Sequence, residues 1–155
     1  MKKIINCGLL AATAAAILLT GCGSEEKAAA PAKAAKLDLS QTKDGTYTAD
    51  SSSDAHLGKG RMTIVIKNHK IIGASGIGID PDSKEKDRTY GMTDGQVKEE
   101  AKYKKAQIAV KAINSYSAQL VETQDPEKVD MVAGATISYN QFKEAAYAAI
   151  AKAKK

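Results

Sequence analysis

Tryptophan is absent from the 155-residue chain, phenylalanine occurs once, proline three times, and histidine and cysteine twice each. Each scarcity closes off a class of protein. Both cysteines, Cys7 and Cys22, fall near the N-terminus, so everything after them has no disulfide and no thiol nucleophile and must be held by packing. There is no Cys-x-x-Cys-His, which excludes covalent haem in its usual form. His56 and His69 stand alone, one in a polar segment and one in a turn, and read as solvated side chains rather than a metal pair. Long blocks of one charge are also missing. Lysines sit beside acids, as in Lys84-Glu85-Lys86-Asp87 and Lys98-Glu99-Glu100, so the net charge of +5 reads as a solvated surface and not as a nucleic-acid interface. Ser51-Ser52-Ser53 has no glycine-flanked elbow and no accompanying base, which removes serine hydrolysis. Asp80-x-Asp82 fails as a calcium loop, because Lys84 takes the fifth position and Glu85 replaces the glycine at the sixth. Gly76-x-Gly78 lacks the third glycine and the helix start of a dinucleotide fingerprint.

What is present begins with the N-terminus. Lys2 and Lys3 precede a largely apolar run, Ile4 to Leu19, followed by Leu19-Thr20-Gly21-Cys22. A basic start, a short apolar stretch and small residues before a cysteine predict an export signal over 1–21. The run falls short of the roughly 20 apolar residues that span a bilayer. Leu-Thr-Gly-Cys resembles the bacterial lipoprotein box, which implies cleavage before Cys22 and its acylation. The resemblance places the chain on the extracytoplasmic face of the cell membrane, or on the outer membrane of a cell with two. Acyl anchoring contributes about 0.8 kcal/mol per buried methylene, so more than one chain makes it lasting. Residues 22–37 read as a linker: Gly-Ser-Glu-Glu-Lys, then an Ala/Lys/Pro tract interrupted by Pro31, with nothing able to form a core. As a flexible chain this spacer spans about 20 Å. A single domain is predicted over 38–155.

Within that domain Asp44-Gly45-Thr46-Tyr47-Thr48-Ala49 predicts a turn entering a first strand. Arg61 to Lys67 alternates, with Met62, Ile64 and Ile66 on one face. Asn68-His69 separates it from a second β-rich run, Lys70 to Ile79, which predicts a hairpin. Gly73, Gly76 and Gly78 leave the return strand bare, as at a bulge or a close approach. Asp80 to Gln96 is polar and turn-rich and reads as a long functional or mobile loop. A helix is predicted over 97–123, with Ala109, Ile113, Tyr116 and Leu120 on its apolar face, ended by Asp125-Pro126. Val129 to Val132 reads as a short strand. A closing helix follows, buried through Phe142, Ala146, Ala149 and Ile150. The fold class predicted is α+β, a small antiparallel sheet with two long helices packed on it.

The most informative segment joins the last two elements: Asp130-Met131-Val132-Ala133-Gly134-Ala135-Thr136, then Ile137-Ser138-Tyr139-Asn140-Gln141. An apolar run breaks into small residues, presents one threonine hydroxyl and enters a helix with the capping-box spacing Ser138-x-x-Gln141. Small residues allow a bulky group close to the backbone, and a helix start is a seat for phosphate. Thr136 stands where a phosphate-bearing group is best received.

Asp130-x-x-Ala133-Gly134-Ala135-Thr136 resembles the flavinylation motif of FMN-binding domains, an aspartate, two residues, then Ser/Thr-Gly-Ala-Thr. Such domains occur in flavin subunits of sodium-pumping NADH–quinone reductases and Rnf-type complexes, and in small exported lipoproteins. The likeness extends to the Asp-Gly-Thr-Tyr opening, the Ile-rich hairpin and the last helix. Ala133 departs from the usual Ser/Thr, and Gly78-Ile79-Asp80-Pro81-Asp82 replaces the common His-x-Glu-Thr-Pro-Gly, as in the compact lipoprotein branch. The resemblance implies FMN esterified to Thr136 by a magnesium-dependent transferase that uses FAD. It makes Asp130 a recognition residue and Ala133, Gly134 and Ala135 the close-approach turn, with Ser138 at the helix start. Tyr90 and Met92 either pack on the flavin ring or anchor their loop, and Lys84 or Lys86 favours the reduced, anionic ring. The function implied is electron transfer between redox donor and acceptor proteins or a quinone-linked membrane complex. No acid–base pair accompanies Thr136, which favours a carrier over an FMN-dependent reductase. A flavin-free ligand-binding lipoprotein is the other alternative.

Overall fold

Alternating apolar residues build the sheet. In the computed structural model, which describes residues 37–154, strands β1 (Gly45–Asp50), β2 (Lys59–Lys67) and β3 (Lys70–Ile79) form one antiparallel sheet in the order β1-β2-β3. All described residues fall in one unit, Lys33–Lys155. The predicted signal segment, Cys22 and nearly all of the linker lie outside the described residues.

The β2–β3 hairpin turns on Asn68 and His69, both with positive φ (51° and 59°). Two left-handed residues give the turn whose twist matches that of paired strands. Asp44 holds it by accepting the Asn68 N–H at 2.8 Å. Met62, Ile64 and Ile66 are at most 1% exposed, and across from Ile66 lies Ile71. The register then shifts: Val65 faces Gly73, so Ile72 is an extra residue on β3. A bulge of this kind reverses which parity faces the core. Beyond it Ala74, Gly76 and Gly78 face β2's buried side, and Ile72 is pushed out, 54% exposed.

Helix α1 (Glu100–Thr123) packs on β3, and helix α2 (Thr136–Ala153) on β2 and β1. Ala145, Ala146, Ala149 and Ala153 are fully buried, and these small side chains let α2 lie close to the sheet. Gly76 does the same for α1: a Cβ there would stand 2.6 Å from both Ile113 Cγ2 and Met62 Sδ. At the helix junction Tyr116 meets Tyr139 edge-on (5.4 Å between ring centres) and Phe142 at 5.2 Å. Such pairs add about 0.5–1.5 kcal/mol beyond their burial.

α1 ends at Gln124, left-handed at φ 61°, whose N–H returns to the Leu120 carbonyl at 2.9 Å. The Gln124 amide also bonds both Ile71 N–H and Ile71 C=O at 2.8 Å each, standing in for a neighbouring strand at the sheet edge. Three expectations are corrected here. α1 begins at Glu100 rather than Val97, and Val97 is exposed. Residues 129–132 form no strand. Both neighbours of β2 are already taken, and the segment's backbone is bonded instead by α1 side chains: Gln119 Oε1 accepts Asp130 N–H at 2.8 Å and the Tyr116 hydroxyl accepts Val132 N–H at 3.1 Å. The capping box does not form either. α2 starts at Thr136, two residues before Ser138, and its N-cap Ala135 offers no side-chain acceptor.

Candidate functional site

Three walls meet in a cleft of about 580 Å³, a size usual for a small-molecule site. One wall is the start of α2: Gly134, Ala135, Thr136, Ile137, Ser138 and, a turn further, Gln141. A second is α1, through Lys102, Lys105, Ala106 and Ala109. The third is Leu57 with the loop residues Lys86, Tyr90 and Gly91.

The start of α2 is shaped by its predecessors. Gly134 takes a positive φ of 82°, and Ala135 N–H bonds the Val132 carbonyl at 3.0 Å, a tight turn that delivers Thr136 as the first helical residue. Thr136 is exposed. The first amide to find a helical partner is that of Tyr139, on Ala135 O at 2.9 Å. The earlier N–H groups have no side-chain cap and leave the positive end of an 18-residue helix open toward the cleft.

The loop wall is fastened. Tyr103 on α1 donates to the Arg88 carbonyl at 2.9 Å, and Gln107 Nε2 donates to the Tyr90 carbonyl at 2.9 Å. Lys86 N–H bonds the Gly78 carbonyl at 2.8 Å, adding a rung beside β3. Its ammonium reaches the Leu57 carbonyl and lies 4.9 Å from the centre of the Tyr90 ring. Burial pushes Lys86 below the usual lysine value, against the opposing charges of Asp80 and Asp54. Burial, then Asp80, pushes the Tyr90 phenol up. Among the described residues no carboxylate lines the cleft, whereas Lys86, Lys102 and Lys105 do. With the open helix start, this donor set suits an anion beside an apolar, π-faced body.

Of the residues singled out in the sequence, Thr136, Gly134, Ala135, Ser138 and Tyr90 line the cleft. Met92, Ala133 and Asp130 do not, and Asp130 is held outside it through its N–H on Gln119. Of the two lysines named for the loop, Lys86 lines the cleft; Lys84 is exposed, with its N–H on Asp80. The α1 wall went unread, although Lys102, Lys105, Ala106 and Ala109 follow helical spacing of three and four. Ala109, expected on the apolar face of α1, lines the cleft instead. Ile137 on the cleft wall is 47% exposed, and Ile108, whose Cγ2 lies 3.8 Å from where a Gly134 Cβ would stand, is 41% exposed.

Residues 56–151 match the family model of the FMN-binding domain, a span that includes every residue lining the cleft. Among solved structures the chain is similar to a Clostridium perfringens protein known from a crystal structure. The two are 25% identical with a TM-score of 0.57, over 73% of this chain and 89% of that one. It is also similar to a Clostridium thermocellum protein known from solution NMR, at 27% identity and a TM-score of 0.43, over 73% and 93% of the two chains. No curated protein matches it. With the match covering more than half of its length and the cleft lying inside that match, the chain belongs to the FMN-binding domain family and binds a flavin.

Proposed function

We propose that this protein is a lipid-anchored, extracytoplasmic electron carrier that holds FMN as a phosphoester on Thr136. One observation carries the reading: Thr136 is exposed at an uncapped helix start on the wall of a cleft whose described lining contains lysines and no carboxylate. The threonine oxygen would replace AMP at the flavin-side phosphorus of FAD. The bond from that phosphorus to the adenylate oxygen breaks, AMP leaves, and the hydroxyl proton passes to the transferase or to water. The first-turn N–H groups of α2, with Lys102 or Lys105, would hold the phosphate; Tyr90, Ala106 and Ala109 would bound the ring. Bound flavin supplies one- and two-electron transfer. The protein's part is to fix, orient and shelter it.

Location explains why a covalent link is worth making. Outside the cytoplasm a dissociated cofactor is lost, and nanomolar retention without a bond needs about 12 kcal/mol of net binding. A cleft with one tyrosine wall and two exposed lysines is ill-suited to supply that. Asp130 then serves the transferase and not the flavin, consistent with its place outside the cleft.

The test is a denaturing gel viewed under ultraviolet light, with the transferase co-produced or withheld. A fluorescent band that requires the transferase, vanishes in Thr136→Val and adds the mass of FMN less one water supports the reading. A wild-type chain that stays dark with the transferase present overturns it.

A further inference from the structure

Lys86 and Gln141 come from opposite walls of the cleft, yet they are tied to two consecutive carbonyls. The Lys86 ammonium donates to Leu57 O, and Gln141 Nε2 donates to Gly58 O at 2.8 Å. The turn that offers this pair exists only with glycine at 58. Its φ is +65°, and a Cβ would lie 2.0 Å from the Ile79 carbonyl oxygen. Lys86 can lie flat along the wall because Gly78 has no side chain, a Cβ there being 2.8 Å from Lys86 Cδ.

The two tethers fix what each group shows the cleft. Gln141 is 7% exposed, and because its nitrogen must face the Gly58 oxygen, the amide cannot be turned round. Its oxygen Oε1 accepts from none of the described residues, and Gln141 lines the cleft. Leu57 takes one of the three donors of an ammonium, and no other described residue accepts from Lys86. A fixed acceptor and a fixed donor, tied to consecutive carbonyls, therefore both line the cleft, with Gln141 about 7.5 Å along the helix axis from Thr136.

We infer that Lys86 and Gln141 read the pyrimidine edge of the flavin ring, Gln141 Oε1 accepting from the ring N3–H and Lys86 donating to a carbonyl oxygen next to it. The assignment rests on the flavin-binding reading but not on the covalent bond. It makes both groups positioning residues: they set which end of the isoalloxazine goes in. The other donors of the cleft, at the α2 start and on Lys102 and Lys105, are left for the phosphate.

The test titrates the full chain, produced without the transferase, with FMN and with FMN methylated at N3. The wild-type chain is expected to bind the methylated compound about tenfold more weakly, the worth of one buried hydrogen bond. Gln141→Leu should bind both at the weaker level, without discrimination. Lys86→Met should weaken both by a common factor and keep the discrimination. Equal affinity of the wild-type chain for the two compounds overturns the assignment. So does discrimination that persists in Gln141→Leu, which would mean the methyl group is excluded by bulk alone, or no FMN binding below about 1 mM. The gel decides the phosphoester separately. A dark gel with intact discrimination removes only the covalent link, and a fluorescent gel without discrimination removes only the edge assignment.

Discussion

Removing a single oxygen from Tyr116 should loosen the segment that delivers Thr136 while leaving the core packed. The Tyr116 ring is fully buried, and its contacts with Tyr139 and Phe142 survive in Tyr116→Phe. What disappears is the acceptor for Val132 N–H at 3.1 Å and a weak donation to the Ala135 carbonyl at 3.5 Å. The second is too long to count for much. The first leaves a half-buried N–H unpaired, which costs about 1–2 kcal/mol. For a domain of this size that lowers Tm by about 4–8 °C. Urea unfolding should show a lower midpoint at unchanged slope, since the same surface is exposed. Hydrogen exchange should place the loss locally, with amides 130–135 exchanging faster and those of β2 little changed. Tyr139→Phe is the matched control. Its hydroxyl only donates to the Val129 carbonyl at 3.0 Å, and a carbonyl deprived of one donor suffers less than an orphaned N–H. If Tyr116→Phe unfolds at the wild-type midpoint, or if its exchange rises evenly over the domain, the phenol is not what fastens this segment.

Gly58→Ala should cost about 3 kcal/mol or more, combining a left-handed backbone strain with a collision against the Ile79 carbonyl; a denaturation midpoint near wild type would contradict it. Gln124→Ala should cost about 1–3 kcal/mol, because Ile71 loses both partners at the sheet edge, and the Ile71 amide should become the most deprotected in β3. Asp50 is held far below the usual carboxylate range by hydrogen bonding to Arg61 and then Lys59. Its lowered folded value means the pair's contribution is complete above the unfolded value of about 3.9 and fades as acid titrates the folded carboxylate. Asp50→Asn should therefore be about 1 kcal/mol less stable near neutrality, the small figure reflecting solvent screening, and the gap should close toward about pH 2. An unchanged gap across that range would refute the pairing.

Local chemistry made much of this fold legible before any coordinates. The hairpin was readable because period-two alternation in Met62, Ile64 and Ile66 and a two-residue turn both act within a few positions. The second helix was readable from its own apolar stripe. The first helix was placed three residues too early, at Val97 instead of Glu100, and Ala109 on its apolar face turns to the cleft. The glycines of β3 announced both a bulge and a close approach: Ile72 bulges out beside Gly73, and Gly76 and Gly78 admit Ile113 and Lys86.

The errors around Thr136 have a common cause, and it bears on how such a site works. Val129 to Val132 has the composition of a strand, and Ser138 with Gln141 has the spacing of a cap. The first reading assumed a neighbouring strand to pair with, and the second a helix start that satisfies its own N–H groups. In the folded chain the segment's N–H groups go to Gln119 and Tyr116 on α1, and Gln141 goes to a carbonyl far away in sequence, in the loop before β2. With these local partners taken elsewhere, the helix start is left uncapped and Thr136 exposed. A self-capped start would have closed the very donors that a phosphate needs. The absence of local satisfaction at α2 is therefore what a binding site requires, and it is bought by long-range bonds that no short window of sequence reveals.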